Sequence, residues 1–373
     1  MKIKPFKVEM WMNTYENDAV YNLGETCVDS LTVSQLLTLC GKDPASYLPS
    51  LGDIRLSYGH IEGSPELLRG IAGMYKNATP DQVVVTHGAI GANHQVILSL
   101  VEASDNMISV MPTYQQHYSI PESIGAEVRP LQLTIENKFL PDLDELRRLV
   151  DKNTKLITIN NPNNPTGSLI PLEVLQEIVE IARSVDAYLL SDEVYRGISA
   201  DGSYIPSVVD LYEKGISVGS MSKVFSLAGL RLGWIVTASA QLKEDCLRRR
   251  DYDTISVGVL DDHFAAMALT NKDKIFARNR EILDTNRAIL DNWVNATPEV
   301  YYQKPQAGTT ALVYYKKDIP SRDLAIKLIK EKGVLVTPGE CFEMEGALRI
   351  GYAYDSKQLQ QGLDLIAETL REL

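Results

Sequence analysis

The chain is short of the features that build metal sites, disulfide frameworks and membrane anchors. Its 373 residues include only four cysteines, Cys27, Cys40, Cys246 and Cys341, with no C-x-x-C pair. Well-separated cysteines in a long chain suggest reduced thiols and a cytoplasmic setting. Five scattered histidines with no H-x-x-x-H pair argue against zinc. No stretch approaches the ~18 apolar residues of a membrane helix. The lysines of residues 1–7 lead into no apolar run, so no secretory signal is expected. Positive charge is also scarce. Thirty-seven Lys and Arg against 49 Asp and Glu give a net charge of −12. That balance disfavours nucleic acid and anionic membranes as partners and leaves small molecules. A nucleotide P-loop is excluded because no G-x-x-x-x-G-K-S/T occurs. Repeats, low-complexity tracts and Gly/Ser linkers are missing too.

What is present is apolar content of 45% over a length suited to about two domains of ~150 residues. From about residue 80, β-branched runs alternate with helical periods. Strands are expected at 82–87, 106–111, 128–133, 155–160 and 188–191, with helices at 90–102, 114–124, 142–150 and 171–185. That alternation predicts a three-layer α/β/α architecture around a mostly parallel sheet. The strands are continuously apolar, as two-sided burial requires. After about residue 260 the rhythm changes. A helix over 272–293, strands near 309–315, 334–336 and 348–352, and helices over 321–332 and 356–373 read as a smaller α+β domain. Residues 1–41 lack the sheet rhythm and are expected to join it. The expected division is 42–260 for the large domain, with 1–41 and 261–373 forming the small one.

Chemistry-bearing residues recur at strand ends. Ser220 and Ser222 precede Lys223 after a strand at 216–220, and Arg231 follows eight residues later. A lysine amine can form a Schiff base with an aldehyde cofactor, and hydroxyls with an arginine fork suit a phosphate. A capped helix start is the bland alternative. Gly88, Ala89 and Ile90 open a helix after a strand, where free amides can hold a phosphate, or merely turn the chain. The run N-P-N-N-P-T-G at 161–167 offers Asn164 as a fixed amide beside a ligand. Asp192 stands at the end of the strand 188–191, where a buried carboxylate needs a cation or serves as an N-cap. Arg349 lies inside an apolar strand pattern. Its partner is either a structural carboxylate or the carboxylate of a substrate.

In order along the chain, Y-x-x-x-x-G, T-x-G-A, N-P-N-N-P-T-G, S-D-E-V-Y, S-x-S-K, G-L-R-x-G-W and L-R-I-G together resemble the class I/II pyridoxal-phosphate aminotransferases of fold type I. The resemblance runs from about Tyr58 to the C-terminus. It implies that Lys223 carries pyridoxal 5'-phosphate and shuttles the proton, and that Asp192 pairs with the pyridine nitrogen. It implies that Asn164 and Tyr195 bind the ring oxygen and that Tyr114 stacks on the ring. Phosphate contacts would come from Ala89, Ile90, Ser220, Ser222 and Arg231 around Gly88. Tyr58 would cross to the neighbouring site of a homodimer, and Arg349 would bind the substrate α-carboxylate. Substrates would be an α-amino acid and a 2-keto acid.

One region departs from the family. Its common glycine-proline-aspartate signature is replaced by Y-N-L-G-E-T-C-V-D-S at 21–30. This head is similar to that of a subgroup related to arginine oxidases that use oxygen and the same cofactor. Such an oxidase, or a β-eliminating lyase, is the alternative outcome. No histidine precedes His60, so a histidine-assisted oxidase route has no base in the head. Glu16, Asp18, Glu25 and Asp29 would favour a cationic substrate, with Glu16 the chosen contact, unless they form a solvated acidic loop.

Overall fold

The computed structural model describes residues 2–373. A seven-stranded sheet runs in the order Val83–Thr86, Gly233–Thr237, Gly215–Ser220, Tyr188–Asp192, Thr154–Asn160, Asn106–Met111, Glu127–Gln132. The last five of these pair parallel to one another. Helices such as Gln116–Ser123 and Leu172–Ser184 connect them, as parallel strands require a crossover. Val83–Thr86 is buried at every position, which accounts for its lack of polar alternation.

The expected parallel sheet is therefore present, with one strand unforeseen. Gly233–Thr237 enters antiparallel between Gly215–Ser220 and Val83–Thr86. Only residues 221–232 separate it from the preceding strand, and antiparallel neighbours need no crossover helix. Its insertion demands close approach. A Cβ on Gly233 would lie 2.3 Å from the carbonyl carbon of Gly88, so only glycine lets the strand pass beneath the start of that helix.

The C-terminal third forms a four-stranded antiparallel sheet, Thr337–Pro338, Ala347–Gly351, Thr310–Tyr315, Val300–Tyr302. Helices Lys272–Ala296 and Ser356–Glu372 pack with it. The head joins this half through Tyr21–Asn22, which pairs parallel with Val334–Leu335. Trp11, on the helix Lys7–Tyr15, is 1% exposed and donates Nε1–H to Val336 O at 2.8 Å. One apolar core runs through Trp11 and Leu36 of the head, Phe225 of the loop 221–232, Trp234 of the large sheet, and Phe342 and Leu363 of the C-terminal part. The seven- and four-stranded sheets fall on either side of residue 260, and the head pairs with Val334–Leu335 on the C-terminal side. We accordingly propose the division 42–260 against 1–41 with 261–373. Among the described residues, no helix is long and apolar enough to cross a membrane.

Candidate active site

Parallel strands end on one edge of the sheet, so the residues after them converge there. A cavity of about 340 Å³ opens at that edge, and the head helix Lys7–Tyr15 contributes Glu9 and Met12 to its wall. Lys223, Asp192, Tyr195, Asn164, Tyr114, Ala89, Ile90, Ser220, Ser222, Arg231, Arg349 and Glu16 all line it. Gly88 and Tyr58 do not.

Lys223 follows the strand Gly215–Ser220 and is held in the interior. Its Nζ donates to Thr26 Oγ1 at 2.6 Å and lies 3.7 Å from Cys27 Sγ. Burial alone would lower the amine's pKa, but Cys27, Tyr195 and Glu25 hold it above the ordinary lysine value. Burial first, and then Glu25, push the Cys27 thiol up to about 11, so it is uncharged at neutral pH. Glu25 is thus the anionic partner. Burial would raise its carboxyl, but the Lys223 charge and the amides of Cys27 and Thr26 bring it below the usual range.

Asp192 is 4% exposed, at the end of Tyr188–Asp192. Asn93 Nδ2 donates to its Oδ2 at 2.9 Å, and Val194 N donates to Oδ1. His117 Nε2 stands 3.6 Å from Oδ2, and neither ring nitrogen of His117 has a hydrogen-bond partner. The adjacent Glu193 serves the scaffold instead. It pairs with Arg196 at 2.9 Å and accepts from Ser207 and Ser217.

The asparagine-rich run divides its labour. Asn160 Oδ1 accepts from Asn164 N at 2.6 Å, and Asn163 ties the loop to Pro112 and Thr166. Asn164 is left facing the cavity, where its Oδ1 accepts from Arg349 Nη1 at 3.2 Å. Arg349 is 3% exposed and also donates to Gly24 O and Thr337 Oγ1, while its Nε has no partner. It makes no ion pair among the described residues, so a structural carboxylate does not account for its burial. Burial depresses its pKa despite nearby Tyr195, Cys341, Glu25 and Glu9.

Gly88 has φ of 66°, and a Cβ there would lie 3.2 Å from Arg231 Nη2. Glycine thus lets the arginine lie against the first turn of Gly88–Leu100, beside Ala89 and Ile90. Ser220 Oγ accepts from Ser222 N in the loop that follows the strand Gly215–Ser220. Opposite this end, Tyr114 donates Oη–H to Glu9 Oε1 at 2.6 Å. Tyr58 is 66% exposed and lies outside this cavity, in a groove with His60 and His263. Asn93, His117, Glu9 and Thr26 were missing from the expected site. A signal existed for Asn93, which falls one turn after Ala89 on the same helix face.

These donors suit a phosphorylated pyridine aldehyde. A helix start, two hydroxyls and an arginine stand at one end, an amine at the middle, and a buried carboxylate with an unpartnered Asn93 Oδ1 beside it at the far side. A family model described as aminotransferase class I and II matches residues 45–366. The chain belongs to the class I and II aminotransferases. A crystal structure of a PLP-dependent aminotransferase from Streptococcus suis 89-1591 is 43% identical, with a TM-score of 0.96 over 100% of this chain and 99% of that one. Capreomycidine synthase of Streptomyces vinaceus is 28% identical over 97% of this chain and 93% of its own length. The aspartate/prephenate aminotransferase of Thermus thermophilus is 26% identical over 86% and 85%. The fold is thus type I, and pyridoxal 5'-phosphate is the cofactor of this aminotransferase-family enzyme.

Proposed function

We propose that the enzyme moves an amino group between an α-amino acid and a 2-keto acid, using Lys223 as both covalent anchor and proton carrier. The observation that carries this reading is the meeting of Lys223, Asp192 and the carboxylate-free Arg349 in one cavity. When bound, pyridoxal phosphate supplies a ring that accepts the electrons left when the α-carbon loses its proton. Arg349 would grip the α-carboxylate, orienting the α-C–H toward Lys223 Nζ. Lys223 would take that proton and return it at the neighbouring carbon. Asp192 would keep a proton on the ring nitrogen, and Asn164 and Tyr195 would bind the ring oxygen. Tyr114 would cover the ring. Ala89, Ile90, Ser220, Ser222 and Arg231 would hold the phosphate.

We further infer a homodimer in which Tyr58 reaches the partner's phosphate. Its exposure supports this, as does that of Leu56 at 77% and Tyr252 at 93%.

A second reading rests on the head. Glu9, Glu16 and Glu25 line the cavity together. Burial and then Glu25 raise the Glu16 carboxyl, a like-charge strain that a cationic side chain would relieve. A cationic amino acid, and with it the arginine-oxidase outcome, is therefore the favoured alternative. The Streptomyces relative, moreover, is named a synthase rather than an aminotransferase.

One experiment separates these. Purified enzyme is incubated with single amino acids, with and without a keto acid and oxygen, while keto acid, peroxide and ammonia are measured. Turnover that needs a keto acid and yields no peroxide supports transamination. Oxygen consumption with arginine overturns it.

A further inference from the structure

The stretch of sequence that departs from the family's glycine-proline-aspartate signature lands on the catalytic amine. Thr26 Oγ1 lies 2.6 Å from Lys223 Nζ, although the two residues are 197 apart in sequence. Thr26 is 8% exposed and rigidly placed. Glu25 Oε1 accepts from Thr26 N at 2.6 Å and from Cys27 N at 2.8 Å. Thr309 Oγ1, beside the strand Thr310–Tyr315, donates to Thr26 O at 2.7 Å. Gly351 packs against the Glu25 carbonyl so closely that a Cβ there would lie 1.9 Å from it. These contacts fix the backbone of residues 25–27, and the Thr26 hydroxyl that it carries makes no side-chain hydrogen bond except to the amine.

A threonine hydroxyl carries two acceptor lone pairs and one donor proton. It can therefore hold the amine as an ammonium by accepting, and as a neutral base by accepting one of the remaining N–H groups. Either way Lys223 is steered to one spot, and in the neutral form its lone pair is not taken up by the threonine. We propose that Thr26 is a positioning residue that docks the unbound Lys223 amine on the head side of the site and orients it for proton transfer. This rests on the reading of Lys223 as proton carrier. The other charged or titratable groups facing the amine are Cys27 and Glu25 of the head, Tyr195 after the strand Tyr188–Asp192, and Arg349 of Ala347–Gly351. None of these offers a hydroxyl or carboxylate oxygen as a hydrogen-bond acceptor for Nζ in the structure.

The test uses Thr26→Val, which keeps shape and removes the hydroxyl, with Thr26→Ala as a second variant and Thr26→Ser as the rescue. In the cofactor-free protein, acylation of Lys223 by a water-soluble acetylating reagent is followed against pH by peptide mass spectrometry. Loss of the acceptor destabilises the ammonium form, so the Lys223 titration midpoint falls in Thr26→Val by about one pH unit. Thr26→Ser returns it to the wild-type value. In the holoenzyme, kcat falls about tenfold with KM little changed, and the acid limb of its pH profile moves down with the midpoint. An unchanged midpoint in Thr26→Val and Thr26→Ala overturns the proposal. So does a shift that Thr26→Ser fails to reverse, because packing alone would then explain it. The labelling result stands apart from the reaction type. Wild-type enzyme that shows the labelling pattern without any transamination would refute the functional reading and leave the docking role intact.

Discussion

Tyr114 donates its hydroxyl to Glu9 at 2.6 Å, joining the ring expected over the cofactor to the first helix of the head. Burial raises the Tyr114 pKa first, and Glu9 raises it further, so the phenol stays protonated and remains the donor. Glu9 lines the cavity together with Glu16.

Replacing Glu9 and Glu16 with glutamine tests the cationic alternative. If a positively charged side chain binds between them, kcat/KM for lysine or arginine relative to norleucine falls about tenfold per charge removed, the scale of a charge-assisted hydrogen bond of ~1.5 kcal/mol. Glu16 is partly in solvent, so its share weakens as salt rises. The comparison is made at two ionic strengths. An unaltered preference for cationic over neutral substrates removes these glutamates from recognition.

Arg349→Lys keeps the charge and loses the planar fork. Two parallel bonds to a carboxylate become one point contact, and the Asn164 and Thr337 contacts are loosened as well. KM for the amino acid rises about 10- to 100-fold, equal to ~1.4–2.8 kcal/mol, with a smaller change in kcat. Steady-state kinetics decide it. A kcat loss at constant KM would mean that Arg349 acts on the chemistry rather than on binding.

Glu25 predicts a pH signature in folding. Its carboxyl is held below its ordinary value of 4.5, chiefly through Lys223 and two backbone amides acting against burial. A depressed carboxyl binds fewer protons folded than unfolded, so it contributes stability above the unfolded pKa and loses it as pH falls through the folded one. The stability gap between wild type and Glu25→Gln is therefore widest above about pH 4.5 and narrows below it. Thermal melts of the cofactor-free proteins from pH 3 to 7 measure the gap. A gap that widens toward acid contradicts the pairing with Lys223.

Much of the site was legible because of where it sits. Asp192 ends a strand, Asn164 and Lys223 follow theirs by four and three residues, and parallel topology alone brings strand ends together. The local pattern therefore carried the long-range result. Thr26 and Glu9 meet their partners across 197 and 105 residues, with no strand end to mark them. They arrive through the docking of the head on the C-terminal half, by Trp11 on Val336 and by the short pairing of Tyr21–Asn22 with Val334–Leu335. Nothing local in a nine-residue amphipathic helix announces which face meets a cavity. The antiparallel strand Gly233–Thr237 was hidden for the opposite reason. Its pattern is that of any buried strand, and direction leaves no trace in hydrophobicity.

Asn93 offers the sharpest test of how Asp192 is kept ready. A carboxylate 4% exposed is costly to hold charged, and the only side-chain hydrogen bond it accepts among the described residues comes from Asn93 Nδ2 at 2.9 Å. His117 lies at 3.6 Å, too far for a normal hydrogen bond. Asn93→Leu removes the donor and fills similar space, so the ring-facing carboxylate loses both charge stabilisation and orientation. Pyridoxal phosphate then binds about tenfold more weakly, ~1.4 kcal/mol, in absorbance titrations of the cofactor-free protein. Asp192→Asn should cost more than that, because it removes the charge itself rather than its support. Equal losses in the two variants would mean that Asn93 holds the cofactor directly, through its unpartnered Oδ1, rather than by way of Asp192. No loss in Asn93→Leu would mean that Val194 N suffices to hold the carboxylate.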